Sequence, residues 1–188
     1  MIFNKMLSIL YPLLYVVTIS SHSLYFFIWN FPQKFINLTK NINSNPVCVM
    51  YYLCVLQKLL QFTLIFIISY LNKTLIPYLL NLNLIKILLI LTGQTLNMSV
   101  YSKLGITGVY YGNKFGYKTK WITSFPYNIL NNPQYVGCIL TFLGLYGLID
   151  THYIIYSIIL YLITMYFESL PSIKPLVKKT LDTNNSLC

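Results

Sequence analysis

Tyr135-VGCILTFLGLYGLIDTHYIIYSIILYLITMY-Phe167 is an apolar stretch of 33 residues with one polar interruption, Asp150-Thr151-His152. Drawn as one straight helix at about 1.5 Å per residue it would measure about 50 Å, whereas a bilayer's hydrocarbon core is about 30 Å thick. It therefore reads as two shorter helices, about 135–149 and 153–167, folded back as a hairpin or re-entrant pair. Working towards the N-terminus, three more apolar runs are each long enough to span: about 75–100, 47–70 and 6–31, the last closed by Trp29 and Pro32. Leu24 to Trp29 continues the first run past Ser21-His22-Ser23, so a retained membrane segment is expected rather than a cleaved leader. Backbone polar groups in lipid must be satisfied internally, which favours helices. The expected fold is a single all-α integral membrane domain over 1–188. It is a small polytopic bundle of about four to five membrane helices, with a loop over about 101–134.

Composition agrees. Hydrophobic residues make up 56% of the 188 and charged residues 9%, with a mean hydropathy of +0.63. A soluble domain needs about 25% charged residues to cover its surface, so soluble, secreted and disordered classes are excluded. The acids are Asp150, Glu168 and Asp182, and with no arginine every one of the 13 basic residues is a lysine. The net charge of +10 is scattered between apolar runs and forms no basic stripe, which points to membrane phosphates and away from nucleic acid. Cys48, Cys54, Cys138 and Cys188 lack C-x-x-C spacing and read as small apolar residues, with neither a metal site nor a disulfide framework. Two histidines and three acids assemble no metal cluster and no Ser-His-Asp triad.

Lysine positions test the hairpin. With three full spans, Lys34, Lys40, Lys103, Lys114, Lys118 and Lys120 share one side, opposite Lys5 and Lys73. A hairpin returns Lys174, Lys178 and Lys179 to the lysine-rich side, which the positive-inside rule makes cytosolic. It also returns Glu168 to the face carrying the 101–134 loop.

That loop holds the densest chemistry. Gly105, Gly108, Gly112 and Gly116 alternate with Tyr110, Tyr111, Phe115, Tyr117 and Trp121. Such a segment either brings backbone and ring faces to a ligand or forms an interfacial aromatic belt. Asn132-Pro133 is a helix start, with Asn132 as N-cap and Pro133 at the first helical position, and free N–H groups there suit an anion or acceptor atoms. Glu168 ends the last apolar run, where the helix dipole disfavours a carboxylate and membrane depth makes an ionisable group a functional candidate; the alternative is a solvated acid paired with Lys174. Lys58 and Lys86 fall near the centres of their runs, and either face the interior or mark misplaced helix boundaries.

LGITGVYYGNKFG from Leu104 to Gly116, followed by TSFPYNILNNPQYVG from Thr123 to Gly137, resembles the signature of the phosphatidylethanolamine N-methyltransferase (phospholipid methyltransferase) family. The likeness runs from about Leu91 to Glu168. It implies an enzyme transferring methyl groups from S-adenosylmethionine to the head-group amine of phosphatidylethanolamine or its mono- and dimethyl derivatives, in phosphatidylcholine synthesis. It also implies an endoplasmic reticulum membrane location, with a cytosolic cofactor side and a phospholipid substrate in the bilayer.

By resemblance, the family's G-x-G cofactor motif falls on Leu91-Thr92-Gly93, with its first glycine replaced. Its Glu-Glu pair falls on Glu168-Ser169, with only the first acid kept. Glu168, Ser169, Leu91, Thr92, Gly93, Asn132 and Pro133 are the expected cofactor residues, Glu168 the expected catalytic residue, and Tyr110, Tyr111, Tyr127 and Tyr135 the expected substrate-binding faces, able to hold a cationic ammonium. A methyltransferase for another membrane acceptor such as prenylcysteine, and a non-catalytic scaffold derived from the family, are the alternatives.

Overall fold

The computed structural model describes residues 2–42 and 45–170, and no β-strand forms among them. The chain runs through α1 (Ile2–Asn30), a short α2 (Pro32–Thr39), α3 (Pro46–Leu71), a short α4 (Leu75–Leu80), α5 (Leu84–Val109), a 3-10 turn (Gly112–Phe115), α6 (Pro133–Gly144) and α7 (Thr151–Ser169). Three helical stretches are long and apolar enough to cross a membrane: Phe3–Asn30, Pro46–Leu71 and Leu84–Phe115. Lys174, Lys178, Lys179, Asp182 and Cys188 lie outside the described residues.

The 3.6-residue period decides which faces meet. On α1, Leu14, Val17, Thr18, Ser21, His22 and Ile28 are buried, while Ile9, Leu13, Val16, Ile19 and Phe26 are exposed, so one stripe meets protein and the other meets lipid. Polar side chains on the buried stripes are satisfied between helices. Gln61 Nε2 donates to Thr18 Oγ1 at 3.0 Å and to the Tyr153 hydroxyl at 2.7 Å, tying α1, α3 and α7 together. Where no water competes, such bonds add to packing as interhelical glue.

The last apolar stretch is a hairpin. α6 and α7 are separated around Asp150, and the connection is held by Ser69 and Thr74 hydroxyls donating to the Leu148 carbonyl at 3.0 and 2.6 Å. At the opposite end, Tyr135 near the start of α6 reaches Glu168 near the end of α7.

The third apolar run differs from the sequence reading at both ends. The run at 75–100 is broken at Asn81-Leu82-Asn83, because the Asn83 side chain accepts from Lys86 N at 3.0 Å and starts a new helix. Lys86 consequently lies in the first turn of α5, its ammonium 4.9 Å from the centre of the Tyr78 ring, and not at mid-helix. At the other end, α5 runs on to Val109, with one non-helical residue, Gly105 (φ 63°), inside it. A backbone in that region favours glycine, so the kink is a sequence-coded bend that redirects the last turn. Cys48 is disulfide-bonded, against the expectation of four unpaired thiols, whereas Cys54 and Cys138 are free.

α5 and α6 approach most closely at Gly93 and Gly137. A Cβ on Gly93 would lie 2.5 Å from the Gly137 carbonyl oxygen, and one on Gly137 would lie 2.6 Å from the Gly93 carbonyl oxygen. The two backbones are in contact, the close approach that small residues permit between membrane helices.

Candidate functional site

The C-terminal ends of α1, α5 and α7 and the N-terminal end of α6 converge on Glu168. After the Gly105 bend and the last turn of α5, Tyr111 adopts left-handed backbone (φ 55°), a conformation uncommon for a non-glycine residue and a marker of constraint. The phenols of Tyr111 and Tyr135 both donate to Glu168 Oε1, and their own oxygens are 3.2 Å apart. Tyr111 and Tyr135 are buried and Glu168 is half-buried. Ring contacts extend the cluster: Tyr25 meets Tyr111 edge-on at 5.6 Å and Trp29 meets Tyr111 at 5.8 Å.

A small cavity of about 110 Å³ opens beside this carboxylate, walled by Leu104, Tyr111, Tyr127, the 131–135 segment and Glu168. Asn132 occupies the N-cap position of α6 and Pro133 opens the helix, as expected, but the Asn132 side chain makes no capping hydrogen bond. The first-turn amides of α6 therefore have no side-chain acceptor. The cavity combines a carboxylate for a cationic amine, helix N–H groups for an anionic group, and tyrosine rings for a charged onium centre. That donor set fits an amino-acid-bearing sulfonium such as S-adenosylmethionine.

The expected residues separate into two groups. Asn132, Pro133, Tyr111, Tyr127, Tyr135 and Glu168 come together. Leu91 and Thr92 are exposed on α5, Gly93 is packed against α6, and none of the three lines a cavity that contains Glu168. Ser169 is exposed and donates to the Tyr166 carbonyl at 2.7 Å, closing its own helix rather than facing the cavity. Tyr110 faces away, its hydroxyl on that of Tyr101, into a second cavity of about 320 Å³ between α3, α5 and α6. Lys58 also borders that second cavity and donates to the Tyr161 hydroxyl at 2.7 Å and to Gln61 Oε1 at 2.9 Å, so it faces the interior without pairing with Glu168.

Sequence reasoning missed Gln134, which borders both the Glu168 cavity and the second cavity. It also missed Lys114, which is buried with its ammonium 3.5 Å from the centre of the Trp29 ring. The signal for Lys114 was its place between Tyr111 and Phe115 in the glycine-rich segment.

Comparison with known proteins bears on the same stretch. The family model described as phospholipid methyltransferase matches residues 82–179, more than half of the chain and all of the Glu168 site except α1. The chain belongs to the phospholipid methyltransferase family. Among its relatives, the phosphatidyl-N-methylethanolamine N-methyltransferase of Arabidopsis thaliana is 40% identical over 77 residues, 41% of this chain and 47% of that protein. The enzyme of the same name from Saccharomyces cerevisiae is 50% identical over 54 residues, 28% of this chain and 26% of the relative. Phosphatidylethanolamine N-methyltransferase A of Dictyostelium discoideum is 45% identical over 53 residues, 28% and 25% of the two chains. The matches thus span less than half of these relatives. No solved structure matches the chain.

Proposed function

We propose that the protein transfers methyl groups from S-adenosylmethionine to the head-group amine of phosphatidylethanolamine or its mono- and dimethyl derivatives, in the endoplasmic reticulum membrane with the Glu168 end facing the cytosol. The observation that carries this reading is the Glu168 carboxylate, held by two tyrosines at the wall of a cavity that also contains the uncapped start of α6. Names of the relatives and the family match support the acceptor class.

When bound, S-adenosylmethionine supplies an electrophilic methyl group. The chain's own contribution is placement: the uncapped α6 amides and Asn132 hold the donor's carboxylate end, and the tyrosine rings hold its positive centre. Holding reactants in line supplies most of such a rate enhancement. Glu168 binds the donor's amino group, and it also orients the acceptor amine and takes up the proton that the amine loses on methylation; the two phenols on its Oε1 fix the carboxylate's direction.

The test is to express the chain in cells that make no phosphatidylcholine by methylation and to follow labelled methyl groups. Label in phospholipid is the expected result. Label in prenylated protein would replace the acceptor, and no label, with folded protein in the membrane, would leave a scaffold.

A further inference from the structure

Glu168 forms a wall of two cavities. Besides the one described, it closes a groove of about 170 Å³ between α1 and α7, lined by Ile19, Phe26, Leu160, Ile163 and Phe167 and bordered at its Glu168 end by Trp29. Ile19, Phe26, Ile163 and Phe167 are each at least 37% exposed, so the groove opens sideways between two apolar helices. From Ile19 to Trp29 it follows α1 for about 15 Å, at about 1.5 Å per residue. Its lining offers an acyl chain the same apolar contact as the bilayer does, and its one charged wall is a carboxylate.

We propose that this groove is the entry and seat of the phospholipid acceptor, with an acyl chain along α1 and α7 and the amine delivered to Glu168 from the membrane side. The inference deepens the proposed function and rests on it. Charge placement selects the occupant. An amine-bearing phospholipid carries a cationic nitrogen at its head, and the groove's head offers it a carboxylate. Glu168 meets the amine at the groove's head. A neutral diacylglycerol would gain the apolar contacts alone.

The experiment uses the full chain in nanodiscs with a phosphatidylethanolamine that carries a photoreactive diazirine in one acyl chain, and maps adducts by mass spectrometry. Adducts at Ile19, Phe26 and Ile163 should exceed those at Leu56 and Phe66, on the exposed face of α3, several-fold. Excess unlabelled phosphatidylethanolamine should compete, and diacylglycerol should not. Ile163→Trp should abolish the excess with donor affinity kept.

Equal labelling of both faces, or equal competition by diacylglycerol, overturns the inference. Groove labelling without any methyl transfer leaves the lipid seat standing and removes the proposed activity; methyl transfer without groove labelling does the reverse.

Discussion

The Tyr111 phenol donates to the Glu168 carboxylate across 57 positions of sequence, from a residue whose backbone is left-handed. Two separate parts of the chain, the glycine-rich segment and the end of α7, are thereby fixed to each other at one oxygen. Tyr135, from the start of α6, donates to the same oxygen.

Glu168→Gln keeps an acceptor for both phenols and removes the charge. A hydrogen bond to a charged group is worth about 1.5–3 kcal/mol, so donor affinity or turnover should fall by roughly tenfold to a hundredfold, with little loss of folded protein. The measurement is labelled methyl transfer at limiting donor. Undiminished transfer would make Glu168 an end-of-helix charge with no part in the reaction.

Tyr111→Phe and Tyr135→Phe share an acceptor and should not be additive. Residues in one hydrogen-bonded cluster couple by about 0.5–3 kcal/mol, so the double variant should differ from the sum of the singles by that amount in stability or turnover. Strict additivity would show that the two phenols act on different partners.

Gly93→Ala places a methyl group 2.5 Å from the Gly137 carbonyl oxygen. Overpacking of this kind costs about 1–3 kcal/mol, and a chain of this size loses roughly 2–4 °C of melting temperature per kcal/mol. Thermal unfolding in detergent should show the loss, and Gly93→Leu should exceed it. An unchanged melting temperature would place the residue outside a tight crossing.

Ser169→Glu restores the acidic pair expected from the family resemblance, yet Ser169 is exposed and bonded back to Tyr166. Donor affinity should stay as it is. A marked tightening, read by equilibrium binding, would mean that the end of α7 rotates when the donor binds.

A reporter tag in the exposed stretch around Trp121 and another after Ser169 should lie on the same side of the membrane, with one beside Asn72 on the other. The hairpin of α6 and α7 requires this. Labelling of the first two from opposite sides would be incompatible with the contact between Tyr135 and Glu168.

Hydropathy made the helices legible because apolar length has one physical meaning in a bilayer, and the polar break at Asp150 marked the hairpin. It did not reveal that Asn83 starts a new helix within the third run, because an asparagine in an apolar context looks the same whether it caps a helix or interrupts one. That Asn132, Pro133, Tyr111, Tyr127, Tyr135 and Glu168 come together around one cavity was legible because they fall at element ends, where side chains converge. Gly93 packs against α6, a contact the sequence did not reveal, because a glycine that admits a ligand and a glycine that admits another helix have the same sequence signature. Lys114 and Gln134 needed coordinates, since their partners come from elsewhere in the chain.

The contact between the backbones at Gly93 and Gly137 also decides which side of the molecule can give way. With no side chains between them, α5 and α6 have no slack to slide or part, and they form a fixed jaw. Helices α1 and α7 meet instead through side chains, Tyr15 on Tyr156, Phe26 on Phe167 and the hydrogen bond between His22 Nδ1 and Thr164 Oγ1 at 2.8 Å. If the groove is the lipid's seat, the side chains on the α1 side, and not the crossing of α5 with α6, are the parts that move to admit a lipid to Glu168.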